Sequence, residues 1–345
     1  MIDIPPPLRL LIDGPALAAN WRALDRMSGT AAAGAAVKAD GYGLGAVQVA
    51  ERLAQAGCRD FFTATWAEAQ ALAPLGLIVS VLHGLRAEDV PAALAGFARP
   101  VLSTPTQVAR WRDAGGGPCD VMVDTGMNRL GLAAADVAAG MLDGLTIETL
   151  MSHLACADED SSMNPAQRTA LHELRGRTGA RRLSLANSAG IALGSDYAFD
   201  LTRPGLALYG GIARAELASV IAPVVTPQAQ VLQRRRVPAG ATVGYNATWT
   251  APVDTEVAIV NLGYADGYLR GFSDRGVATA GDAMLPVIGR VSMDLVALNV
   301  AAAPDLAEGE WVSIAFDLPT AAAASGLSQY ELLTGLGARY GRVWA

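Results

Sequence analysis

The chain has 345 residues, of which 52% are hydrophobic and 17% charged, with a formal net charge of −7. That composition fits a compact globular protein of about two domains and excludes a disordered chain. The acidic balance excludes the basic footprint of a nucleic-acid binder, and the one dense basic run, Arg234–Arg236, reads as a solvated strand edge.

From Leu8 to about Gly210, short apolar runs alternate with helical patterns. The runs fall at 34–39, 60–65, 77–82, 99–103, 119–124, 148–154, 182–187 and 200–209. Between them, 45–56, 66–74, 86–96, 105–114, 133–142 and 165–177 are rich in Ala, Leu, Glu, Gln and Arg. Strand-then-helix repetition predicts βαβ units and a parallel sheet. Eight repeats in about 200 residues suggest an α/β fold of the (β/α)8 TIM-type barrel class, with an open doubly wound sheet as the structural alternative. After about Arg214, short Val- and Thr-rich runs broken by Gly, Pro and Asp predict a second, mostly β domain. The expected division is residues 1–215 and 216–345, the boundary lying near 212–222. In the second part, 280–286 reads as a turn and 327–336 as a helix. No window approaches the ~20 uninterrupted apolar residues of a membrane helix, and the N-terminus carries no signal-peptide pattern. Cys58, Cys119 and Cys156 are odd in number and widely spaced, which argues against disulfides or a zinc site. No metal is expected, and a reducing, cytoplasmic location is.

Lys38 closes the first strand in AVKADGYGLG. A lysine at the carboxyl end of a buried strand is costly to desolvate. Active sites of such barrels lie at those strand ends, and a desolvated lysine is a Schiff-base former. Gly41, Gly43 and Gly45 let the chain turn sharply beside a ligand. Alone, this lysine reads equally as a side chain that snorkels to water.

AVKADGYGLG resembles the cofactor-attachment motif of the alanine racemase family. VDTGMNRLG (123–131), SHLACADE (152–159), ANSAG (186–190), RPGLALYG (203–210), VGYNATW (243–249), GYADGYLR (263–270) and GRVSMDL (289–295) follow in the family's order. The resemblance spans nearly the whole chain. It implies a racemase that interconverts L- and D-alanine and supplies D-alanine for cell-wall precursors, with pyridoxal 5′-phosphate held by Lys38. It also implies a homodimer whose subunits share active sites, acting on a small amino acid and not on nucleic acid or membrane. Ser188, with the backbone of Gly205 and Leu206, falls where the phosphate site of such barrels is made, and the resemblance adds Asn187 and the Tyr42 hydroxyl. Arg203 is expected at the pyridine nitrogen, where a guanidinium cannot accept a proton, and His153 beside the ring. Lys38 and Tyr245 are the implied acid/base pair, Tyr245 reaching the site from the partner subunit. Arg129 and the Met293 N–H are implied to hold the substrate carboxylate, with Tyr264 and Asp294 near the entrance. His83 and His172 read as structural.

The chain departs from the family pattern at Asp40, Gly41 and Leu44. Met122 stands where many members have a carbamylated lysine, and Ala338 where some have a tyrosine beside the phosphate. Two other readings remain: a decarboxylase of basic amino acids on the same barrel, and a non-catalytic carrier of the cofactor. Arg203 weighs against the first, the β domain and Tyr245 against the second. A racemase of broader or different specificity, such as for serine, also stays open.

Overall fold

The computed structural model describes residues 4–345, divided into two compact units. One comprises Leu17–Ala222; the other joins the chain through Ala16 to Pro223–Ala345.

The first unit is a barrel. Its strands run parallel in the order 32–36 (Ala32–Ala33 and Ala35–Ala36, interrupted at Gly34), Asp60–Thr63, Ile78–Val81, Arg99–Leu102, Cys119–Asp124, Ile147–Met151, Arg182–Ser184 and Leu201–Thr202. The ring closes through Asp200 N–H to Leu183 O and Arg203 N–H to Ala186 O on one side of the last strand. On its other side, Gly34 N–H donates to Thr202 O at 2.9 Å and Ala36 N–H to Pro204 O at 2.9 Å. A closed ring, rather than an open sheet, follows from these pairings. Helices Ala46–Ala56, Trp66–Leu72, Pro105–Asp113, Ala134–Ala138 and Met163–His172 occupy the predicted intervals. Thr65 and Thr104 cap two of them: the Thr65 hydroxyl accepts from the Glu68 amide, the Thr104 hydroxyl from the Gln107 amide.

The barrel interior is not uniformly apolar. Asp60 takes a bidentate contact from Arg182 at 2.7 and 3.0 Å, while Ser80 donates to Asp120 at 2.6 Å with Arg99 3.4 Å away. Asp120, Thr149 and Arg182 lie side by side in register across three strands. Burial pushes the Asp120 carboxyl above its ordinary pKa, against the pull of Arg99 and Ser80. Two atoms of this layer, Asp120 Oδ1 and Arg99 Nε, are buried without a hydrogen-bond partner among the described residues.

The second unit is an antiparallel sheet with one parallel edge. Its order is Thr255–Val260, Val296–Asn299, Ala283–Ile288, Val277–Ala280, Trp311–Ile314, Val225–Val237, Leu8–Ile12 and Gly341–Trp344. The 13-residue strand Val225–Val237 also pairs with Thr255–Val260, past an irregularity between Val231 and Gln233. Arg234 and Arg236 lie on it, ion-paired with Glu256 and Asp254.

Three features differ from or add to the sequence reading. Leu8–Ile12 pairs with Val225–Val237 and Gly341–Trp344, so it groups with the β unit and not with the barrel; the chain leaves the barrel unit between Ala222 and Pro223, next to the expected 212–222 boundary. An unpredicted helix, Gly14–Met27, precedes the first barrel strand. The 280–286 segment is a hairpin whose turn is only Gly281 and Asp282, with Ala283–Pro286 already in strand.

Candidate active site

The barrel brings most of the predicted residues to the carboxyl ends of its strands. The first strand ends at Ala36, so Lys38 stands two residues beyond it rather than closing it. The next four residues, Ala39, Asp40, Gly41 and Tyr42, all have left-handed backbones (φ 53°, 52°, 61° and 54°). Three are not glycine, so the run carries strain that its surroundings must hold. Glu68 does part of this: its carboxylate accepts the Ala39 N–H at 2.8 Å while its other oxygen takes the Ala64 and Thr65 amides. Asp40 accepts the Ala46 N–H at 2.9 Å.

Lys38 is half-buried, and burial lowers its pKa, reinforced by Arg129 and Arg203 and opposed by Glu68. It is also the only lysine in the chain; every other one of the 26 Lys and Arg residues is arginine. An amine poised toward its neutral form is the nucleophile that carbonyl chemistry requires.

Arg203 is buried, donates to the Ser184 hydroxyl and reaches the Ser152 carbonyl at 2.5 Å. Its hydrogen-bond partners are neutral, and burial brings its pKa down to about 10 while Asp120 pulls it up. Ser184 in turn donates to Leu201 O at 2.5 Å. His153 follows the sixth strand by two residues. Desolvation, then Arg203, Arg129 and Lys38, push its pKa down to about 3, so the ring is neutral at physiological pH. Gln167, fully buried, holds this segment: it donates to His153 O at 2.9 Å and accepts from Ala155 N–H.

Ser188 opens the short helix Ser188–Ala192, whose cap is the Asn187 side chain accepting from Gly190 N–H at 2.8 Å. The Ser188 hydroxyl receives the Gly205 and Ala207 amides at 3.0 and 3.1 Å. Tyr42 stacks on Tyr209 with ring centroids 4.5 Å apart, and Tyr209 is tied by its hydroxyl to Ala36 O at 2.8 Å. A Cβ added at Gly205 would overlap the Tyr42 hydroxyl, so only glycine leaves that hydroxyl its place. Tyr42 OH, Ser188 Oγ and the backbone at 205–207 thus form a small polar cradle. A phosphate monoester suits this donor set, and the Lys38 amine suits an aldehyde on the same molecule; the residues present fit pyridoxal phosphate.

Arg129 is exposed and, among the described residues, has no hydrogen-bond or ion-pair partner. Met122 is buried on the fifth strand, opposite Met151. A thioether there offers no charge to steady Arg129.

The remaining predicted residues belong to the β unit. Tyr245 is 63% exposed at the tip of the Thr242–Thr250 hairpin, followed by two left-handed residues, Asn246 and Ala247. Gly244 approaches the backbone of Arg290, so this tip neighbours the 290–294 loop that carries Met293, itself 53% exposed. The Met293 carbonyl accepts the Ala265 N–H at 3.0 Å, and its own N–H has no partner among the described residues. Sequence reasoning missed Gln167, Ser184 and Arg339, which hydrogen-bond to His153, Arg203 and Asp294, and Glu68, which holds the amide of the residue after Lys38. The spacing Thr65–Glu68 is a capping-box signal that could have located Glu68.

An eight-stranded parallel barrel with a lysine-centred cationic cluster at its strand ends, joined in one chain to an antiparallel β unit, defines the class. Sequence profiles described as the alanine racemase N-terminal and C-terminal domains match residues 12–213 and 224–344. A relative named alanine racemase from Acidiphilium cryptum is 42% identical over 97% of this chain and 98% of its own length. One named catabolic alanine racemase from Agrobacterium fabrum is 41% identical over 96% and 91%. Among solved structures, alanine racemase from Bartonella henselae, with covalently bound pyridoxal phosphate, is 32% identical with a TM-score of 0.89, covering 98% of this chain and 99% of that one. The chain belongs to the alanine racemase family.

Proposed function

We propose that this protein racemises alanine, with Lys38 holding pyridoxal phosphate and acting as one of two proton-transfer groups. The observation that carries the reading is Lys38 itself: the chain's single lysine, beyond the first barrel strand, with its charge disfavoured by burial and two arginines. When bound, the cofactor supplies an electron sink for the carbanion formed at the substrate's α-carbon.

The chain's own groups do the rest. The Lys38 amine moves the α-proton on one face of the substrate. The partner subunit's Tyr245 does so on the other, in a homodimer with shared sites; the exposure of Tyr245 and Met293 supports this. The Arg203 guanidinium is a donor only and could not stabilise a protonated ring nitrogen; it would leave that nitrogen neutral, which would limit delocalisation and favour prompt return of the proton to carbon. His153, neutral, would flank the cofactor, and Tyr42, Asn187, Ser188, Gly205 and Leu206 would hold its phosphate. Arg129 and the Met293 N–H bind the substrate carboxylate.

The biological form of this reading is a cytoplasmic enzyme supplying D-alanine to cell-wall precursors. Three free cysteines, two of them buried with raised thiol pKa values, support a reducing compartment. No described helix is long and apolar enough to cross a membrane. The test is turnover of the purified, pyridoxal-phosphate-loaded protein on a panel of L-amino acids. The expected result is formation of D-alanine from L-alanine as the fastest reaction. No racemisation of any member, or preference for serine, contradicts the proposal.

A further inference from the structure

Three segments of the β unit meet behind Met293. They are 263–268 (GYADGY), 289–295 (GRVSMDL) and 335–340 (GLGARY). Backbone contacts bring the first two together: Tyr264 N–H donates to Ser292 O at 3.0 Å and Ala265 N–H to Met293 O at 3.0 Å. Gly263 lies so close to Met293 that an added Cβ would overlap the Met293 carbonyl. Gly267 abuts the Gly335 carbonyl in the same way.

One side chain crosses all three segments. Arg339 donates through Nε to Asp266 Oδ1 at 2.6 Å and through NH1 to Asp294 Oδ1 at 2.7 Å. Asp266 is 1% exposed, and its second oxygen accepts the Gly263 N–H at 2.9 Å. The Asp266 end of the bridge is therefore fixed in the unit's interior. The Asp294 end is the residue directly after Met293. Charge-assisted contacts of this geometry are stronger than neutral ones and set direction as well as distance.

We propose that Arg339 is a positioning residue for substrate recognition: by tying Asp294 to buried Asp266, it fixes the loop that presents the Met293 N–H to the substrate carboxylate. The inference rests on the proposed role of Met293. The Met293 amide shares the carboxylate with Arg129, and the strength of its hydrogen bond depends on where the N–H points, weakening steeply as the angle closes. Contacts made equally in the ground and transition states appear in KM and not in kcat. Loss of the bridge is therefore a KM effect.

The experiment compares Arg339→Ala, Arg339→Lys, Asp294→Asn and the Arg339→Ala/Asp294→Asn double variant with the wild type, all as desalted pyridoxal-phosphate-loaded protein. The readouts are kcat and KM for L-alanine, inhibition by propionate as a bare carboxylate probe, cofactor absorbance and melting temperature. Arg339→Ala is expected to raise KM and the propionate inhibition constant about tenfold, with kcat within about threefold and cofactor absorbance intact. Arg339→Lys recovers much of the loss, and the double variant is no worse than Arg339→Ala, because both remove one bridge. Unchanged KM and propionate inhibition in Arg339→Ala overturns the inference while leaving the racemase reading standing. A fall in kcat and melting temperature with KM unmoved also overturns it, since that is a purely structural role. If wild-type protein neither racemises alanine nor binds propionate, the racemase reading fails, and this inference with it.

Discussion

Gly205→Ala perturbs the proposed phosphate cradle at its tightest point. An alanine Cβ there overlaps the Tyr42 hydroxyl and stands 3.0 Å from Tyr42 Cζ and 3.4 Å from the Ala36 Cβ. The tyrosine cannot simply swing aside, because its ring stacks on Tyr209, which is itself anchored to Ala36 O. Overpacking of this kind typically costs about 1–3 kcal/mol. The hydroxyl must also leave its position. One lost hydrogen bond to a charged group is worth about 1.5–3 kcal/mol, or roughly 10–100-fold in cofactor affinity. Urea unfolding of the apo-protein measures the first quantity, and titration with pyridoxal phosphate the second. Adding Tyr42→Phe separates them. Without the hydroxyl the worst overlap disappears, so the double variant regains stability relative to Gly205→Ala but not affinity. A Gly205→Ala protein with wild-type stability and affinity refutes the cradle. So does a double variant that recovers affinity.

Tyr245→Phe is expected to keep cofactor binding and lose about 10²–10⁴-fold in racemisation; full activity removes this tyrosine from the mechanism. His153 gives a pH signature. Folded, it stays neutral down to about pH 3, whereas unfolded it takes a proton below about 6.5. The unfolded state then binds more protons, so the stabilisation is fully present above pH 6.5 and is lost as pH falls toward 3. Between pH 6.5 and 5 the loss is at most about 2 kcal/mol, and about 1–2 allowing for the ring's partial exposure. Denaturant midpoints of the apo-protein should fall more steeply over that interval than those of His153→Gln; parallel slopes contradict the assignment. Ala338→Tyr should lower kcat/KM for L-serine relative to L-alanine. Ala338 is exposed and Tyr340 is buried in the β unit, so no native ring substitutes for it from the tail. An unchanged ratio shows that residue 338 does not shape specificity.

The barrel was legible because each strand is a short apolar run followed by a helical pattern, and these signals are local. Cys119–Asp124 was matched residue for residue, and Ala46–Ala56 within one residue. What escaped was non-local. Leu8–Ile12 reads like a barrel strand, yet its partners lie more than 200 residues away, and nothing in LRLLI names them. The polar floor of the barrel was hidden for a related reason. In CDVMVD, Asp120 reads as a strand-end polarity, and only the meeting with Ser80 and Arg99 from other strands explains its burial. Gly281-Asp282 between two runs is a hairpin signal in its own right, but the apolar residues beside it were absorbed into the turn. At the site, motifs name the candidate residues but not the groups that hold them. Glu68, Gln167, Ser184 and Arg339 act through contacts that only the folded chain creates. The plainest pointer to Lys38 was compositional: no other lysine exists in the chain.

That singularity makes the central claim directly measurable. Borohydride reduction of the pyridoxal-phosphate-loaded protein, followed by digestion and mass mapping, reports which side chain carries the cofactor. The account predicts close to one label per chain, on the peptide containing Lys38, and none in Lys38→Ala. Label elsewhere, or full labelling of Lys38→Ala, contradicts it.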